Sequence, residues 1–175
     1  MEMIKLNNNE NLIGNSKQMT DFLGNTYTYN CLGCEIGNKN IIPPGGVIYE
    51  DDIFLLASDP EVPLNGFLIV NVKKHINSIS ELNINEQHRM IELISKSITI
   101  LKKLNICQEV TIIQEERSKH LHIWIFPNQE WMVHRFGKGV SFVRDICKYA
   151  QETVTIDKTK EILETIEKIK KYFND

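Results

Sequence analysis

Apolar residues recur along this chain in two rhythms. Between Val47 and Val72 they come in short runs set off by turn residues, whereas from Asn85 to Leu104 the residues Met90, Ile94, Ile98 and Leu101 recur at three and four, the period of an amphipathic helix. The turn Pro43-Pro44-Gly45-Gly46 releases the chain into Val47-Ile48-Tyr49-Glu50, and Asp51-Asp52 turns it back into Ile53-Phe54-Leu55-Leu56-Ala57, which predicts a β-hairpin. After the loop from Asp59 to Gly66, the run Phe67 to Val72 reads as a central strand ending at Lys73-Lys74-His75. Asn83 with Glu86 forms a capping-box pattern at the start of the long helix.

Glu109 to Gln114 reads as a strand. The short loop Glu115-Glu116-Arg117-Ser118 joins it to a strand through His122 that Pro127 ends, so the two are expected to pair antiparallel. Val140 to Ala150 reads as a short helix, and Asp157 is expected to cap a last one whose Ile162, Ile166, Ile169 and Phe173 form one stripe. Residues 1–26, with the run Asn7-Asn8-Asn9 and no sustained period, read as a weakly ordered arm, with ordered structure beginning near Tyr27. Strands, helix, strands and then helices in this order predict an α+β domain with an antiparallel sheet, comprising a core of residues 27–130 and a C-terminal helical extension of the same domain over 131–175.

A length of 175 residues suits one domain, and 42% hydrophobic with 25% charged residues is ordinary for a globular protein. The net charge of −3 leaves no overall electrostatic footprint for a polynucleotide or an anionic membrane. Neither a secretory leader pattern nor an apolar run of the ~18 residues that a membrane span requires is visible, so the expected location is cytoplasmic.

The chemistry concentrates in His120-Leu121-His122-Ile123-Trp124 and Cys31-Leu32-Gly33-Cys34. In an extended strand His120, His122 and Trp124 share one face, and Leu121, Ile123 and Ile125 the other. A neutral imidazole nitrogen binds a metal or attacks phosphorus, but such a pair on an exposed strand is equally a solvated pair. The two cysteines place their sulfurs on one turn, suited to two corners of a tetrahedral zinc site. His75 ends one predicted strand and His120 opens another, so Cys31, Cys34, His75 and His120 would make a closed, structural site. A redox pair at a helix N-terminus beside a βαβ pattern is the competing reading, with unliganded thiols a third. Cys107 and Cys147 read as buried spectators, and His88 and His134 as surface or core histidines.

Taken together these parts resemble the histidine triad (HIT) superfamily, which contains dinucleoside polyphosphate hydrolases, nucleoside phosphoramidases and, more distantly, galactose-1-phosphate uridylyltransferase. From Cys31 to Pro127 the pieces follow the family's order: Cys31-x-x-Cys34, Val47 to Asp52, Asp59 with its proline loop, Phe67 to His75, Ser80-Glu81-Leu82, a long helix, and His120-x-His122. The resemblance implies a HIT-like fold with about five antiparallel strands, a homodimer, and structural zinc on Cys31, Cys34, His75 and His120. It implies that His122 is the nucleophile, attacking a nucleotide α-phosphate to form a nucleotidyl-histidine that water hydrolyses. Asp59 matches the acidic residue that holds ribose hydroxyls, although an aspartate before Pro60 also suits a turn. Gln114 and Ser118 fall near the family's phosphate-contacting positions, in a loop shorter than usual where Arg117 offers a fixed cation.

Trp124 stands where the full triad has a third histidine. Tryptophan donates one hydrogen bond and carries no titratable proton, so acid catalysis from this position is not expected. The expected activity is hydrolysis of a phosphoanhydride or phosphoramidate bond in a small nucleotide, a dinucleoside polyphosphate first. The rivals are nucleotidyl transfer of the uridylyltransferase type and nucleotide binding with little turnover. Past Pro127, His134, Arg135, Lys138, Arg144 and Lys148 gather positive charge around Gly137-Lys138-Gly139, either a phosphate site before a helix or a solvated face; Trp131 either stacks on a base or packs.

Overall fold

The computed structural model describes residues 16–174. In chain order the elements are β1 (Lys17–Thr20), β2 (Thr26–Tyr29), α1 (Leu32–Gly37), β3 (Tyr49–Glu50), β4 (Phe54–Ser58), β5 (Leu68–Val72), α2 (Ile84–Lys103), β6 (Glu109–Ile113), β7 (His122–Asn128), α3 (Glu130–Phe136), α4 (Val143–Glu152) and α5 (Ile156–Asn174). Strands β3 to β7 form one antiparallel sheet in the order β3-β4-β5-β7-β6. This is the expected α+β class, with about five strands, one long helix and C-terminal helices. No described helix is long and apolar enough to cross a membrane.

Local chemistry explains most of the boundaries. Asp51 turns the β3–β4 hairpin by accepting from the backbone N–H groups of Ile53 and Phe54 at 2.8 and 2.7 Å. Both bonds of the capping box form at α2, Asn83 accepting from the Glu86 N–H and Glu86 from the Asn83 N–H. Thr155, rather than the expected Asp157, caps α5, its hydroxyl accepting from the Lys158 N–H. Strand β7 runs through Pro127 because pairing with β5 has already ended at Ile125, so the missing N–H removes no ladder bond on that side.

The arm expectation needs correcting. Ordered structure begins ten residues earlier than Tyr27, in the β1–β2 hairpin, while residues 1–15 lie outside the described ones. Buried Asp21 organises that hairpin: one carboxylate oxygen accepts from the N–H groups of Leu23 and Asn25, the other from the Asn25 amide. Met19 anchors it among Ile36, Ile41, Leu55 and Ala57, and the Phe22 N–H donates to the Pro60 carbonyl at 3.0 Å.

The two faces of the sheet differ in function. On one, Leu56, Val70, Ile123 and Ile125 pack with α2 through Met90 and Leu101 and with α5 through Ile162, Ile166 and Ile169, all nearly solvent-free. The other face is covered only in part. The β1–β2 hairpin and α1 sit over Leu55 and Ala57, while α3 and α4 sit over Phe67 and Phe126 through Met132 and Ile146. Between these two coverings the face stays open, and Ile69, Asn71, His122 and Trp124 line the opening.

Candidate active site and metal centre

The opening is a cleft of about 550 Å³, lined among others by Asp59, Asn71, Arg117, Ser118, His122 and Trp124. His122 is half-buried at the start of β7, opposite Asn71 of β5. Its Nδ1 lies 2.9 Å from the carbonyl oxygen of His120. A carbonyl only accepts, so Nδ1 carries the proton and the Nε2 lone pair is left free. That is the tautomer a nucleophilic imidazole requires. Asn71 is buried, and its amide donates to the Gly33 carbonyl at 3.0 Å, tying α1 to the strand beside His122.

Trp124 shares the His122 face, the ring centroids 6.3 Å apart, and meets Phe67 edge-on at 5.2 Å. It is thus both a wall of the cleft and a packing residue. Asp59 likewise combines both sequence readings. Its Oδ1 accepts from the N–H groups of Glu61 and Val62 at 2.9 and 2.7 Å, forming the turn, and the residue also lines the cleft. Burial pushes its carboxyl up to about 7, against the pull of those two donors. Arg117 and Ser118 line the cleft, and the Ser118 hydroxyl lies 3.0 Å from the His120 carbonyl. Gln114 is not brought in: it is absent from the lining, and its amide nitrogen is buried without a partner.

The other sequence candidates sort themselves by contact. Trp131 packs against Tyr149 and Phe136 and donates to Gln129, away from the cleft. The basic cluster is dispersed: Arg135 lies over the Tyr149 ring, Lys138 beside Glu109 and Lys148 beside Glu152, and one short 3-10 turn separates Gly139 from α4. His88 and His134 are exposed, Cys107 is buried, and Cys147 is half-buried with its thiol pushed up to about 12 by burial and by neighbouring Asp59.

His120 lines the same cleft, but its ring nitrogens are engaged elsewhere. It precedes β7 rather than opening it, is only 3% exposed, and its Nε2 lies 2.8 Å from the Val72 carbonyl, which fixes the proton there and leaves Nδ1 as the donor atom. That Nδ1 lies 3.3 Å from the Cys31 sulfur, 3.6 Å from the Cys34 sulfur and 3.4 Å from His75 Nδ1. His75 Nδ1 is in turn 3.5 and 3.1 Å from the same sulfurs. A tetrahedral zinc ion with bonds of about 2.3 Å to sulfur and about 2.0 Å to nitrogen has ligand-to-ligand edges of about 3.3–3.8 Å. The four donor atoms, all within 4.8 Å of one another, therefore fit such an ion. Burial holds the His120 imidazole below its ordinary pKa, helped by His75 and His122, which keeps it in the neutral form a metal binds.

Local structure builds this corner tightly. Cys31 is the N-cap of α1 and Cys34 lies in its first turn, so half of the redox-pair context, a helix N-terminus, is present; the βαβ pattern is not. Gly33 between them carries the His120 ring, since a Cβ there would lie 2.1 Å from its Cδ2. Sequence reasoning missed both Gly33 and Asn71. The only signal was a glycine inside a Cys-x-x-Cys and a polar residue inside an otherwise apolar strand.

No family model matches the chain. An uncharacterized HIT-like protein of Methanocaldococcus jannaschii is 30% identical over 105 residues, 57% of this chain and 80% of that protein. Among solved structures, a HIT-like protein of Bartonella henselae described as involved in cell-cycle regulation superposes with a TM-score of 0.56 at 20% identity, over 83% of this chain and 98% of its own. A zinc-bound histidine triad family protein of Mycobacterium smegmatis does so with a TM-score of 0.54 at 14% identity, over 81% and 96%. At these identities the two structures speak to the fold, and they share it with this chain. By its relative aligned over four-fifths of that protein's length, and in agreement with its fold, the chain belongs to the HIT-like family.

Proposed function

We propose that the protein hydrolyses a phosphoanhydride or phosphoramidate bond in a small nucleotide, a dinucleoside polyphosphate first, through a covalent nucleotidyl-His122. The observation that carries this reading is the Nδ1 contact of His122 with the His120 carbonyl, which aims a free Nε2 into a cleft of nucleotide size. Nε2 attacks the α-phosphorus, the bond to the bridging oxygen breaks, and its electron pair leaves with that oxygen. Water then displaces the imidazole from phosphorus and regenerates His122. The carboxylate of Asp59 accepts from the ribose hydroxyls, and Arg117 and Ser118 hold phosphate oxygens.

In the same reading, Cys31, Cys34, His75 and His120 hold a structural zinc ion, which supplies no reaction step and fixes the His120 backbone that orients His122. The zinc-bound M. smegmatis neighbour supports this assignment. A cytoplasmic, homodimeric protein completes the proposal; the unpaired state of all four cysteines supports the reducing setting, and light scattering tests the dimer. Nucleotidyl transfer is the second reading. Trp124 on the His122 face favours it, because an indole offers a leaving group no proton. Intact-mass measurement of the protein with a nucleotide panel, with and without a sugar-phosphate acceptor, tests both: the adduct decays to free nucleotide in one case and to an acceptor-linked product in the other.

A further inference from the structure

Arg117, Ser118 and Lys119 line the cleft in the loop that leads into His120. Behind Arg117 stand two more charges. Glu115 accepts from Arg117 through both Nε and a terminal nitrogen at 2.7 Å, and Arg144 of α4 approaches the same carboxylate at 3.4 Å. All three side chains are exposed, at 63%, 47% and 71%. Exposed pairs of this kind add little stability. A phosphate oxygen presents the same geometry to the guanidinium fork and displaces Glu115 readily, leaving that carboxylate to Arg144.

Trp124 makes these charges matter. It can donate a hydrogen bond but no titratable proton, so negative charge developing on a departing oxygen must be met by fixed cations. The helix that carries Arg144 is also built onto the Trp124 wall, since Val143, Ile146 and Ala150 pack with Phe67 and Phe126 while Trp124 and Cys147 flank that cluster. Asp59, Glu61 and Lys17 also line the cleft.

We propose that Arg117, latched on Glu115 and supported by Arg144, forms a leaving-group subsite for an anionic phosphate chain, with Glu115 and Arg144 as its specificity-determining residues. The inference rests on the nucleotidyl-His122 reading and names its leaving group: pyrophosphate or a longer chain, not an amine or alkoxide. As the bond from the α-phosphorus to the bridging oxygen breaks, the electron pair stays on an oxygen whose phosphate chain is already held by Arg117, and no proton transfer is needed. Glu115 is the displaced counter-ion and Arg144 its second partner.

The test compares two substrates of one nucleoside, so that nucleoside contacts cancel: the 5′-triphosphate, which releases pyrophosphate, and the p-nitrophenyl ester of the 5′-monophosphate, which releases p-nitrophenolate. The readout is the ratio of their kcat/KM values in the full chain. Arg144→Ala is expected to lower that ratio about five-fold, and Glu115→Gln to raise it about two-fold at low ionic strength, both effects shrinking as salt screens them. Melting curves of both variants matching the parent protein show that the change is local. A ratio unmoved in both variants while the ester still labels His122 overturns the inference and leaves the nucleotidyl-histidine reading standing, as does an equal loss on both substrates in Arg144→Ala. Failure of both substrates to label His122 overturns that reading and this inference together.

Discussion

At one end of the segment from His120 to Trp124, four donor atoms from three parts of the chain converge within 4.8 Å around a histidine that is 3% exposed. Beside the loop that leads into this segment, Glu115, Arg117 and Arg144 meet through side chains that are roughly half or more exposed. The first arrangement is over-determined: the Val72 carbonyl, the Gly33 close approach and the Asn71 bond each constrain the same few atoms. The second is adjustable. A site with one rigid backbone corner and adjustable neighbouring charges can keep the attacking nitrogen in place whatever group leaves.

The largest expected effects lie at the rigid end. Cys31→Ser should lose the metal and destabilise the fold together, because ion binding and folding are linked, with a melting temperature lowered by about 10 °C or more. Gly33→Ala should also release metal, since the added methyl group enters the His120 ring, although all four ligands are retained. Elemental analysis showing full zinc content in Gly33→Ala would mean that the ring is free to shift and that the corner is looser than described.

Much of that corner was legible beforehand because its residue types are scarce. With five histidines and four cysteines in the chain, a Cys-x-x-Cys and histidines at two strand ends leave few combinations. The strands and the long helix were legible for the same reason that their clusters are dry: Met90, Ile94, Leu101, strand β4 and the residues of β5 and β7 that face them are all buried. What escaped was held by polar and steric detail. The β1–β2 hairpin depends on one buried aspartate, Asp21, rather than on an apolar period, and α1 has only six residues. Gln114 was expected at the phosphates from the family resemblance, but matching a position does not determine which side of a strand end a side chain takes.

A middle-sized effect is expected at Trp124. Trp124→His restores a titratable proton beside His122 and should raise phosphoramidate cleavage about ten-fold relative to polyphosphate cleavage, as general acid catalysis of an amine leaving group would. Loss on every substrate alike, with a lower melting temperature, would show that the Phe67 contact is the whole role of the indole.

The smallest effect is at Asp59. Its folded carboxyl titrates at about 7, above the unfolded value of about 3.9, so the folded state binds more protons between these pH values and loses stability as pH rises through that window. Asp59→Asn keeps an acceptor for the Glu61 and Val62 N–H groups without a charge to bury. It should therefore melt higher than the parent protein at about pH 8, by an amount on the order of 1–3 kcal/mol, with the gap closing at about pH 4. A gap that does not change with pH would contradict the buried titration.

The central claim is that His122 forms the covalent bond, and intact-mass spectrometry on rapidly quenched reactions tests it directly. The account predicts that a nucleotidyl mass is added to the protein, that peptide mapping places it on His122, and that His122→Ala abolishes it while retaining the parent melting temperature and nucleotide affinity. Turnover at the parent rate in His122→Ala, or an adduct mapped to any other residue, would contradict it.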